Sequence, residues 1–351
     1  MSLIFGAWRL RAVGVMSNFG TSGPRIASGD KYALVALPRL PLDALNLPQE
    51  MELPGGLWFA QGLPFKLDKH WPEWIGSVRA DQLEAAQLIL VASSPSHTPD
   101  VLDAENEHQM DLVRRLYQGL EIATPIWVDG EVMLLTGTNR DGHVDVRQIS
   151  TLTRPGPTHH GEIDLIGINA LKTAATLVPI ISDFPPKKYL RLCRVLNAYF
   201  TGVAETDLRE RLHQFCRCIE GLIFAEQGKT TGQFKSRTEL FVGASHHSFM
   251  GGLYENRSAV EHMNDPMLAA TNEDGRRRVF REMTLASEEI ARYCLLRVLL
   301  NPDLRQQYAD ETSLKAFWHL QPANRRLRWG DPMDLGAVRE KLRQRRSVLQ
   351  Q

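Results

Sequence analysis

Apolar positions follow two different rhythms along this chain. In the first part they come in short blocks. KYALVALPRL (31–40) and AAQLILVAS (85–93) are brief apolar runs that predict strands or short buried segments. AENEHQMDLVRRLYQGLEIAT (104–124) instead sets Met110, Val113, Leu116, Tyr117 and Leu120 on one face, which predicts a helix. PIWVDGEVMLLTG and NRDGHVDVRQIS follow, each centred on an Asp-Gly step, the strongest short-range turn signal, so a small antiparallel meander is expected there.

TRPGPTHHGE (153–162), rich in Pro, Gly and Thr and without apolar period, marks a boundary. Past it nearly every segment carries helical spacing. Pro185 and Pro186 are placed to begin a helix through KKYLRLCRVLNAYFTGVAE, and Thr206 or Asp207 to cap the next. In that helix Leu208, Leu212, Phe215, Ile219 and Leu222 recur at steps of four and three. GKTTGQFKSR reads as a polar connector, and a long helix through RRRVFREMTLASEEIARYCLLRVLL ends at Asn301-Pro302. The expected fold class is α+β: a mixed α/β domain over 1–160, a bundle of four or five helices over 161–320, and a basic tail over 321–351.

Composition adds limits. Lys+Arg and Asp+Glu are equal at 41 each, so any preference for a polyanion must be local. The tail is such a place: Arg325, Arg326, Arg328, Arg339, Lys341, Arg343, Arg345 and Arg346 face only Asp331, Asp334 and Glu340. Phosphate contact and a solvated helix face are both open readings of it. Cys193, Cys216, Cys218 and Cys294 all fall in helical stretches with no disulfide framework, and Cys216 and Cys218 sit on different helical faces, which argues against a shared metal. His159 and His160 have no carboxylate or cysteine nearby and read as polar loop; no cofactor and no metal is called for. MSLIFGAWRLRAVGVM is broken by Arg9 and Arg11 and does not read as a signal peptide; with no bilayer-length apolar run, a cytoplasmic location is expected.

The candidate chemistry lies in LYENRSAVEH (253–262), where Arg257 precedes His262 by five positions. Guanidinium and imidazole are the side chains best suited to a phosphodiester: one holds its oxygens bidentately, the other moves a proton near neutral pH. Five positions turn about 140° on a helix, so the two do not face one spot from a single regular helix. The plain alternative is a surface ion pair of Arg257 with Glu261, with His262 at the helix end. The preceding glycine pair places Arg257 near a helix start, where backbone N–H groups attract anions.

The stretch resembles the HEPN superfamily of helical, nucleotide- or RNA-binding domains, whose signature is Arg, four to six residues, then His. It is most similar to the abortive-infection (Apea-like) branch, in which Tyr-x-x-Arg-Ser-x-x-x-His begins a late helix; Tyr254, Arg257, Ser258 and His262 match it. RCIEGLIFAEQ is similar to that branch's earlier helix and FKSRTELFVG to its connector, so the resemblance spans about residues 165–300. Met263 stands where members often carry glycine, and Ser258 where many carry Asn, Asp or His.

The resemblance implies a metal-independent endoribonuclease in which the RNA's own 2′-OH attacks phosphorus, His262 acting as general base or acid and Arg257 stabilising the phosphate. Asn256 and Ser258 would support it by orienting phosphate or imidazole, Tyr254 by stacking on a base, and Glu261 by tuning the pair; each also has a plain reading as a helix-surface or core-flank residue. It further implies a homodimer in which two such helices surround one cleft, with His246 and His247 in the preceding loop. The rival class is a non-catalytic helical module for dimerisation, nucleotide or partner binding. No Gly-rich phosphate loop of the Walker or dinucleotide type is present to favour a nucleotide-processing enzyme.

Overall fold

The structure is a computed structural model describing residues 26–156, 165–185, 187–226, 228–264 and 273–347 of the chain. The N-terminal stretch MSLIFGAWRLRAVGVM, the His159–His160 pair and the expected 160/161 boundary lie outside those ranges. The fold is α+β: an antiparallel sheet with covering helices, followed by helices alone.

The first part runs β1 (Asp30–Leu37), β2 (Glu50–Leu53), β3 (Leu57–Ala60), α1 (His70–Ile75), α2 (Ser77–Glu84), β4 (Leu88–Pro95), α3 (Ala104–Ala123), β5 (Val132–Arg140), β6 (His143–Val144) and β7 (Gln148–Leu152). The sheet order is β2-β3-β4-β1-β5-β6, with β7 also pairing β5. β1 lies at the centre, with Leu34 opposite Val91 on one side and Leu135 on the other. Every residue of β1 is buried, because helices cover both faces of the sheet; such a strand reads as a continuous apolar run, not an alternation. Ala33, Val35 and Leu37 meet Met110, Val113 and Leu116 of α3, while Tyr32, Leu34 and Ala36 meet Trp71, Ile75 and Leu83 of α1 and α2.

The expected meander is half realised. Asp141 and Gly142, at φ +50° and +90°, form the two-residue turn from β5 into β6. The earlier Asp129-Gly130 step makes no hairpin: Ile126 and Val128 enter the core from coil, and Asp129 pairs only as a bridge to Arg39.

The helical part runs α4 (Ile168–Ser182), α5 (Leu190–Ala204), α6 (Leu208–Ile223), α7 (Thr230–Val242), α8 (His247–Glu261), α9 (Glu273–Leu300), α10 (Pro302–Gln307), α11 (Glu311–His319), α12 (Pro322–Trp329) and α13 (Leu335–Ser347). That is more helices than the four or five expected, since the polar connector is itself most of α7 and the tail folds into α12 and α13. α5 also starts four residues beyond Pro186; the Pro185 carbonyl instead accepts from the N–H groups of Lys188 and Tyr189, closing a turn. α4 crosses α3 closely, and a Cβ on Gly119 would stand 2.6 Å from the Ala174 carbonyl oxygen. α6 is the axis of the second core. Asp207 caps it by accepting from the N–H groups of Arg209 and Glu210, and Leu212, Phe215, Cys216, Cys218, Ile219 and Leu222 are buried along it.

All four cysteines are free thiols. Most of the tail arginines resolved by contact serve packing. Arg325 donates to the carbonyls of Trp318 and Leu320, closing α11 at 2.6 and 2.7 Å, Arg326 donates to those of Glu239 and Leu240 at the end of α7, and Arg339 and Arg343 hold Glu282. Among the described residues no helix is long and apolar enough to cross a membrane.

Candidate functional site

α8 carries the Arg–His stretch as far as Glu261, with His262 as its C-cap, but it begins earlier than the glycine pair suggests. It starts at His247, after a single turn of 3-10 helix (Ala244–His246), and runs straight through Gly251 and Gly252. Two helical glycines cost about 1 kcal/mol each relative to alanine. A Cβ at Gly251 would lie 2.6 Å from Cε of Lys235 on α7, a contact that the flexible lysine end can move away from. Arg257 therefore sits toward the end of α8, and the expectation that it lies near a helix start is corrected. His246 and His247 belong to the 3-10 turn and to α8 itself, with His247 Nδ1 against the Glu239 carboxylate.

Arg257 lies across the seam between α8 and α6, its side chain only 12% exposed. One terminal nitrogen donates to Glu220 of α6 at 3.0 Å, and the other to Glu261 one turn along α8. Its Nε is buried without a partner, and the guanidinium stands 5.7 Å above the Tyr254 ring. Tyr254 in turn packs on Phe234 of α7, with centroids 5.0 Å apart, so it is a flank residue of the core. Burial raises the Glu220 carboxyl above its ordinary range in spite of the guanidinium beside it.

His262 is the residue that closes α8. It is exposed, its backbone N–H donates to the Ser258 carbonyl at 3.1 Å, and its ring makes no hydrogen bond among the described residues. Met263 follows at φ +56°, in the left-handed region usual for the residue just past a helix end, and is 96% exposed. Five residues on α8 separate Arg257 and His262 by about 7.5 Å along the axis and about 140° around it. Within one chain they do not share a face.

The remaining predicted residues divide. Asn256 is buried and turns toward α9, its amide N–H donating to the Gly252 carbonyl at 2.7 Å and resting 3.8 Å from Met283 Sδ, while its Oδ1 is buried without a partner. Ser258 is half-buried and contributes its carbonyl to the helix end. Glu261, half-exposed, holds Arg257.

Two residues that sequence reasoning did not single out complete the seam. Glu220 lies in the RCIEGLIFAEQ stretch and His213 two helical turns before it on α6. His213 Nδ1 is buried and unpartnered, and burial first, then the positive charges of Arg257 and Arg217, hold its imidazole below the ordinary range. Only the three-dimensional crossing of α6 and α8 brings it near. Arg237, in FKSRTELFVG, closes the C-terminus of α6: it donates to the Ile223 carbonyl at 2.9 Å and to that of Phe224, which has φ +51°. Chemically the seam offers one guanidinium with donor capacity to spare, a part-buried imidazole, and an accessible imidazole at the end of α8. Compared with family models, curated proteins and solved structures, the chain matches none.

Proposed function

We propose that this protein is a metal-independent endoribonuclease acting in the cytoplasm, a toxin or antiphage (abortive infection) effector, and that its site forms where the α8 helices of two copies meet. The observation that carries this reading is the Arg257–Glu220 contact at 3.0 Å, which joins the two stretches on which the HEPN resemblance rests. His262, exposed at the end of α8 and with no hydrogen bond to its ring among the described residues, is available to a partner's Arg257 in a way it is not to its own.

The chemistry follows from these groups. The RNA 2′-OH gives its proton to a base as its oxygen bonds to phosphorus, and the 5′-oxygen leaves, taking a proton. His262 moves one of these protons. Arg257 exchanges its contact with half-exposed Glu261, a pair of low net worth, for two phosphate oxygens and stabilises the charge that builds on them. The products are a 2′,3′-cyclic phosphate and a 5′-OH.

The test is cleavage of total RNA in EDTA by wild type, His262→Ala and Arg257→Ala, with end groups mapped. Wild-type cleavage giving cyclic phosphate ends, lost in both variants, supports the reading. Cleavage equal in all three sinks it. A second reading, a non-catalytic helical module, draws on one specific feature: in the single chain Arg257 is already held by two carboxylates. Wild type without ribonuclease activity as a purified dimer favours that module.

A further inference from the structure

A cavity of about 500 Å³ lies between the first turn of α5, the middle of α6 and the α10–α11 connection. Its volume is within the range of small-molecule sites. Five cations line it, Lys187, Lys188, Arg191, Arg194 and Arg217, against two carboxylates, Asp310 and Glu311. The carboxylates are largely committed. Asp310 caps α11 through the Ser313 N–H at 2.8 Å, and Glu311, 76% exposed, holds Arg191 at 3.2 Å from the rim. Lys187, Arg194 and Arg217 make no ion pair or hydrogen bond among the described residues, and the Arg191 Nε is buried without a partner. No side chain caps α5, whose first turn forms part of the wall. A chain with equal numbers of acidic and basic residues has thus concentrated an excess of positive charge in one concavity.

The rest of the wall is apolar. Leu190, 51% exposed at the mouth, and Val195 and Ala198 deeper in, offer a surface for an uncharged ring. We propose that this cavity binds a phosphorylated small molecule of nucleotide size, its phosphates on Arg191, Arg194, Arg217 and the two lysines and its uncharged part on Leu190 and Ala198. A surface patch that merely tracked a nucleic-acid backbone would need neither a concavity nor an apolar wall. Because Arg217 is one turn from Glu220 on α6, an occupant sits beside the seam that holds Arg257, but the inference does not depend on ribonuclease activity.

The test is calorimetric titration of the full chain with ATP as probe and adenosine as control, at low salt. ATP binds and adenosine does not. Lys187→Ala/Arg194→Ala, which removes exposed side chains with no bonds to lose, weakens ATP binding by about tenfold or more. Ala198→Trp fills the cavity without changing its charge and abolishes binding, folding being checked by thermal melting. His262→Ala, which disables the proposed nuclease, binds ATP as wild type does. No ATP binding at millimolar concentration, or binding unchanged in the double variant and in Ala198→Trp, overturns the proposal. So does single-stranded RNA binding that depends on Lys187 and Arg194 but is not displaced by ATP.

Discussion

Two cations, Lys31 in the sheet layer and Arg257 in the helical part, are each gripped by two carboxylates, and they differ in what is left over. Lys31 is fully buried, and its ammonium meets Asp103 at 2.7 Å, Thr98 at 3.1 Å and Glu105 at 3.2 Å. An ammonium has three N–H donors, so these three acceptors, in the β4–α3 loop and at the start of α3, use all of them. Arg257 has five donors in a planar fork, spends two nitrogens on Glu220 and Glu261, and keeps a buried Nε with no partner. The first arrangement is complete and fastens β1 to α3. The second is unfinished, and its more exposed partner, Glu261, faces solvent. Saturation separates a structural ion pair from one able to change partners.

The largest expected effect breaks the saturated pair. Lys31→Met leaves Asp103 and Glu105 without the cation that fastens them to β1 and destabilises the fold, read at neutral pH as a fall in the urea midpoint larger than for either variant below. The same variant changes the acid response. Hydrogen bonds from Lys31, then Thr98 and the Glu105 N–H, hold the Asp103 carboxyl down to about 2. Its lowered value means its contribution is complete above the ordinary carboxylate range and disappears as pH falls toward 2. Lys31→Met therefore loses less stability between pH 4 and pH 2 than wild type does.

Arg257→Ala is milder. Glu220 is left half-buried without its guanidinium, but burial already raises its carboxyl and Glu261 is released to solvent, so the loss is about 1–2 kcal/mol. An equal or larger loss than for Lys31→Met erases the distinction between the two pairs. Smallest is Met263→Gly, which relieves a left-handed backbone at a side chain almost wholly in solvent and stabilises the chain by about 1 kcal/mol in thermal melts. A destabilising outcome there shows that Met263 has a contact of its own.

Legibility in the sequence followed the same division. β1, β4 and the α3 face were readable because their apolar rhythm is unbroken, Asp207 announced a helix start by its side-chain chemistry, and Asn301-Pro302 announced the end of the long helix. β2 and β3, four residues each about Pro54-Gly55-Gly56, were too short to carry a period, and α1 and α2 bury only Trp71, Ile75, Ala80 and Leu83. α7 was hidden by its polar first half, TTGQFKSR, although Phe234 and Thr238 are buried on it. At the seam, the i,i+4 pairing of Arg257 with Glu261 was legible from spacing alone. Glu220 and His213 were not, because no local pattern says that α6 and α8 cross.

The central claim is that Arg257 of one copy and His262 of another act on one phosphate, and mixing two dead variants tests it directly. Arg257→Ala and His262→Ala, each inactive, are combined after subunit exchange and assayed on RNA. A mixed dimer holds one site with both side chains intact, so the mixture recovers about a quarter of the wild-type rate. A mixture as inactive as either variant alone, beside an active wild type, contradicts the account.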